Sequence, residues 1–124
     1  MDEFEVDTEL AVLDPAAVIR NLGGDMSDFR EIAKLFIEEL PGLRAGVARS
    51  ALMTPAEIVD MLHELANSLG VVGAIRSAQF ARSIETSMRA GASVDLRRLQ
   101  SELNAQLGSA CIALKLALFE GDRQ

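Results

Sequence analysis

Leu96, Leu99, Leu103, Leu107, Ala110, Leu114 and Leu118 recur at steps of three and four, carrying one apolar seam down the last part of the chain to about Phe119. That period is the signature of an amphipathic α-helix, and a helix with one apolar face is stable only when the face is buried against other elements. The same period returns three times upstream. Phe29, Ile32, Phe36, Leu40, Leu43 and Val47 place a long helix over Met26 to about Leu52. Ile58, Leu62, Leu65 and Leu69 place the next from Pro55 to about Leu69, and Ser77, Phe80, Ala81, Ile84 and Met88 place a fourth ending near Gly91. No stretch alternates apolar and polar residues for long enough to make a strand. The pattern predicts an all-α fold, an up-down-up-down four-helix bundle preceded by a short N-terminal helix.

The punctuation between these stripes agrees with that reading. Asp14-Pro15 opens the short helix, because Asp caps free amides and proline's missing N–H costs nothing at the first helical position. It is expected to run from Pro15 to about Asn21 and to bury Val18, Ile19 and Leu22. Gly23-Gly24 ends it and Asp25 caps the next. Pro41 falls inside that helix with the stripe in phase on both sides, so a kink or local loosening is expected there. Thr54-Pro55-Ala56-Glu57 combines a cap, a first-position proline and a capping-box glutamate. Gly70 and Gly73 bracket a turn, and Ser93 is read as the cap of the last helix. Residues 1–12 carry five carboxylates and no helical period. They are expected to form a loose acidic arm that folds against the body, with the bundle at 13–120 and a C-terminal tail at 121–124.

A chain of 124 residues fits one domain with a sizeable core. Twelve basic against 19 acidic residues give a net charge of −7, which repels phosphate backbones and argues against a nucleic-acid partner. Hydrophobic residues make up 49% of the chain but aromatics only 4%, so the core is built from Ala, Leu, Ile, Val and Met, a helical composition. Cys111 is the only cysteine, which excludes an intramolecular disulfide and suits a reducing cytoplasm. The first residues are acidic where a secretory signal is basic and then apolar, and no apolar run reaches the roughly 18 residues of a membrane span. Neither export nor membrane insertion is expected.

The chemistry narrows to one side chain. His63 is the only histidine, and in the helix that holds it Leu62, Leu65 and Leu69 fall within roughly 40° of Ile58 while His63 lies about 140° away, at about 100° per residue. The leucines point inward and the imidazole points to water. One His and one distant Cys do not make the clustered ligand set of a structural zinc site. A site built only of carboxylates stays open, but the Glu-x-x-His pairs of di-iron bundles are absent. No nucleophile elbow supports a Ser-His-Asp arrangement, and Gly23-Gly24-Asp25 is too short to cradle a phosphate.

In order along the chain, Leu13-Asp14, Leu22-Gly23-Gly24-Asp25, Phe36-Ile37-Glu38-Glu39-Leu40-Pro41, His63-Glu64-Leu65, Gly73-Ala74 and Ile84-Glu85 resemble the histidine-containing phosphotransfer domain, from about Leu13 to Leu118. The resemblance implies that His63 is the phosphoacceptor of a multistep phosphorelay, passing a phosphoryl group between receiver-domain aspartates. A neutral imidazole is a good nucleophile near neutral pH, and its phosphoramidate passes the group onward readily. It also implies that the chain binds no cofactor or metal and has no kinase activity of its own, since the receiver partner supplies the aspartate, a magnesium ion and a lysine. The implied partners are response-regulator receivers and a hybrid sensor histidine kinase, with the chain a monomer. Members of the family typically carry Lys-Gly where this chain has Ala66 and Asn67. Asn67 and, from the next helix, Arg82, Glu85 and Arg89 are the candidates for contacting or steering the phosphoryl group. Val59, Asp60, Ala66, Gly70 and Phe36 are the candidates for the partner-binding surface. The rival reading is an adaptor that keeps the bundle and binds a receiver or kinase without efficient transfer. A bundle with an unrelated enzymatic or scaffolding role is the third.

Overall fold

A computed structural model of the protein describes residues 3–122, with side chains placed as far as Glu120. Among these residues the fold is all-helical: α1 (Pro15–Leu22), α2 (Met26–Arg49), a 3₁₀ turn (Ser50–Leu52), α3 (Pro55–Val71), α4 (Ile75–Arg89) and α5 (Leu96–Asp122). None of these helices is long and apolar enough to cross a membrane. The caps follow the local chemistry. The Asp14 carboxylate accepts from the Ala17 amide, Asp25 and Asp28 cap reciprocally, and so do Thr54 and Glu57. α2 runs through Pro41 without a break, and Pro41 is exposed, so the hydrogen bond it cannot donate is missing on the water side.

Leu62, Leu69, Ile84, Leu99, Leu103, Leu107 and Leu114 are fully buried and form one core with Phe29, Phe36, Val47 and Phe80. α3 and α4 make the most extensive helix pair, and α2 and α5 the next. Small side chains explain the closeness of the first pair: Ala66 on α3 and Ser77, Ala78 and Ala81 on α4 are all buried. The α2–α5 pair is tied by polar contacts. Arg44 donates to the Asn104 side chain at 3.0 Å, and Arg30 to the Leu118 carbonyl at 3.1 Å. Buried Ser77 donates to the Gln106 side chain at 2.8 Å, joining α4 to α5.

The turn from α3 to α4 depends on Gly73, whose φ is +81°. A Cβ there would come within 2.7 Å of both the Asp14 carbonyl oxygen and Val18. The close approach lets the Gly73 carbonyl accept from the Asp14 amide at 2.8 Å, seating the start of α1 on the turn.

Several expectations need correction. The last helix is capped by Asp95, whose carboxylate accepts from the Arg98 amide at 3.2 Å, and not by Ser93. The described part of the arm lies against the body as expected but is not loose: Phe4 is buried under the Arg98 guanidinium, 4.7 Å from its ring centre, and Arg76 donates to the carbonyls of Leu10 and Thr8 at 2.9 Å each. Met1 and Asp2 lie outside the described residues. Leu22 is 49% exposed, although Val18 and Ile19 of the same helix pack on the core as expected. α5 continues to Asp122, beyond the expected start of the tail, and residues 123–124 lie outside the described residues.

Candidate functional site

His63 lies in the third turn of α3, on the edge nearest α4, with its side chain 56% exposed. Its Nδ1 is 3.0 Å from Oε2 of Glu85 on α4. Glu85 is 11% exposed and also accepts from Arg89 one turn further on, at 2.9 Å. Burial pushes the Glu85 carboxyl up, but the hydrogen bonds and charges of Arg89 and His63 outweigh it and hold the group below the ordinary carboxylate range. Glu85 is therefore an anion at neutral pH, and a carboxylate only accepts. The 3.0 Å contact then requires the proton on Nδ1, which leaves the lone pair of a neutral ring on Nε2.

The remaining candidates separate by burial. Asn67 is exposed one turn along α3 from His63, and Gly70 is partly exposed beyond it. They share a groove with exposed Arg82 and with Leu22 and Val71. Asp60 is exposed but belongs to the opposite groove, between α2 and α3, with Glu57 and Glu64. Arg89 sits on the other side of Glu85 from Arg82, with its guanidinium engaged by the carboxylate.

Val59, Ala66 and Phe36 do not belong to a partner-binding surface, because all three are buried. For Val59 and Ala66 the cause is that α3 buries two faces. Its leucines enter the core, while the adjoining stripe, about 80–100° round the helix from Ile58, is covered by α4. His63, at about 140°, is just beyond the edge of that cover, which is why it is exposed and still meets Glu85. Phe36 is sealed in the core, and it is its neighbour Leu35, 57% exposed, that reaches the surface.

Two features of the site escaped the sequence reading. One is which cation Glu85 takes: Glu85 and Arg89 were both expected on this flank, and the i, i+4 spacing that pairs them was available as a signal. The exposed apolar group Leu22, Leu35 and Val71 was not, since each fits an apolar stripe equally well; Val71 lines a groove with Leu22 on one side and another with Leu35 on the other. No known family model, curated protein or solved structure matches this chain.

Proposed function

We propose that the protein is a histidine phosphotransfer carrier, with α2 to α5 forming an up-down-up-down bundle, α1 lying against it as a lid, and His63 as the phosphoacceptor. The observation that carries this reading is the exposed His63 ring held through Nδ1 by a buried, ionised Glu85, which leaves Nε2 with no hydrogen bond to any described residue.

The chemistry follows from that arrangement. The Nε2 lone pair attacks the phosphorus of an aspartyl phosphate on a receiver domain. The N–P bond forms as the acyl P–O bond breaks, and the aspartate carboxylate leaves with the electron pair. The ring keeps its Nδ1 proton and becomes cationic, so Glu85 stabilises the charge that develops while it fixes the ring's orientation. Reversal onto a second receiver returns the neutral imidazole. The chain needs no acid or base of its own because no proton is transferred at Nε2. The receiver brings the magnesium ion.

The partners are receiver domains and a hybrid sensor histidine kinase, met in the cytoplasm by a monomeric carrier that binds no nucleic acid. Their docking surface centres on His63, Asn67 and Gly70, with Leu22, Leu35 and Val71 as its apolar part in place of the buried Val59, Ala66 and Phe36.

The test is incubation with a phosphorylated receiver. An acid-labile label should appear on the wild-type chain and be absent from His63→Gln. Binding of receivers without transfer from any of them would replace the carrier reading with the adaptor.

A further inference from the structure

We propose that Arg82, together with Asn67, is the phosphoryl-oxygen clamp of this site, a cation on α4 serving a nucleophile on α3. The inference rests on the phosphorelay reading and adds a phosphoryl-binding residue to it.

The first support is a shortage of cations. A phosphoryl group on Nε2 brings two negative charges to a ring already held by the ionised Glu85. α3 contains no lysine or arginine. α4 has three arginines besides no lysine, and two of them are committed. Arg76 holds the carbonyls of the N-terminal arm, and Arg89 neutralises Glu85. Arg82 makes no hydrogen bond or ion pair with any described residue.

The second support is placement. The helices run antiparallel: His63 meets Glu85, and Gly70, two turns later on α3, meets Arg82, one turn earlier on α4. That register sets the Arg82 backbone opposite Ala66 and Asn67, within about one helical turn of His63. Gly70 leaves the space the guanidinium occupies, since a Cβ there would stand 3.1 Å from its Nη2. From this resting place a rotamer change past Asn67 carries the guanidinium toward Nε2, a motion open to an exposed side chain. Its N–H fork suits phosphoryl oxygens, and the Asn67 amide adds a neutral donor on the same flank.

The full chain treated with potassium phosphoramidate provides the assay, with phosphohistidine followed by 31P NMR. The phosphoramidate P–N bond breaks, ammonia leaves, and the phosphoryl group passes to His63. Arg82→Ala is expected to slow phosphorylation about tenfold, a smaller loss than for a buried oxyanion donor because water screens the site. Arg82→Lys should retain most of the rate. Asn67→Lys placed in the Arg82→Ala background gives up the amide donor but returns a cation to the same flank, and should recover part of the rate, a rescue that a merely structural role would not give. A wild-type rate in Arg82→Ala, or a loss that neither lysine repairs, overturns the clamp. Failure of the wild-type chain to form any phosphohistidine overturns the carrier reading itself, and the clamp with it.

Discussion

Replacing Glu85 with alanine is expected to change which nitrogen of His63 carries the proton. In the native chain one carboxylate oxygen takes Nδ1 of His63 at 3.0 Å and Arg89 at 2.9 Å. A charge-assisted hydrogen bond of this kind is worth roughly 1.5–3 kcal/mol when shielded from water. Glu85 is shielded, at 11% exposure, but the imidazole is 56% exposed and hydrates when the bond is lost. The net preference for the Nδ1–H form is then about 1.4 kcal/mol, a factor of about ten in the ratio of tautomers. Two-bond 1H–15N correlation spectra, recorded where the imidazole is neutral, report that ratio directly. The wild type should show the proton on Nδ1, and Glu85→Ala should show a mixture moved about tenfold toward Nε2–H. Glu85→Gln, which keeps an acceptor but not the charge, should fall between. The alanine variant loses both bonds at once, so it should also unfold about 1–2 kcal/mol more easily, a fall in Tm of about 3–7 °C. Unchanged ring-nitrogen shifts in Glu85→Ala would refute the reasoning, because the carboxylate would then not be what presents Nε2 to a phosphoryl donor.

Three further outcomes follow from the same geometry. Folding holds the Glu85 carboxyl below its ordinary value of 4.5, so its ion pairs contribute fully above that pH and are lost as pH falls through the depressed value. Denaturation curves between neutral and acid pH should therefore lose stability less in Glu85→Gln than in the wild type. Gly73→Ala, with a positive φ and two contacts at 2.7 Å, should cost about 2–4 kcal/mol, whereas Gly42→Ala, helical and with nothing near its Cβ, should add up to about 1 kcal/mol in the same urea titration. Ala66→Lys should destabilise by about 1–3 kcal/mol and leave phosphorylation no faster, because position 66 is covered by α4 and a lysine there must distort the helix pair to reach water.

The direction of His63 was legible because helical period alone fixes where a side chain points, and the leucines on the opposite side named the core. The helix starts at Pro15 and Pro55 were legible for a similar reason, since Asp14-Pro15 and Thr54-Pro55 act through their own neighbours. Glu85 entered as a candidate only through the resemblance, since no local signal around His63 marks it as the partner. The meeting of His63 with Glu85 depends on the register of α3 against α4, which is set by the close packing of Ala66, Ala78 and Ala81 and by the turn at Gly73. Val59 and Ala66 were misplaced on the surface because a single apolar stripe implies one buried face, and α3 has two. The arm's attachment through Arg76 joins residues far apart in the chain, and no local signal near Thr8 or Leu10 marks it.

The central claim is that Nε2 of His63 receives the phosphoryl group, and it is tested most directly by locating phosphorus on the ring. After transfer from a phosphorylated receiver to 15N-labelled protein, coupling between 31P and Nε2 of His63, with the proton retained on Nδ1, is the result the account predicts. Phosphorus on Nδ1, or an unlabelled His63 in a folded chain that still binds the receiver, would contradict it.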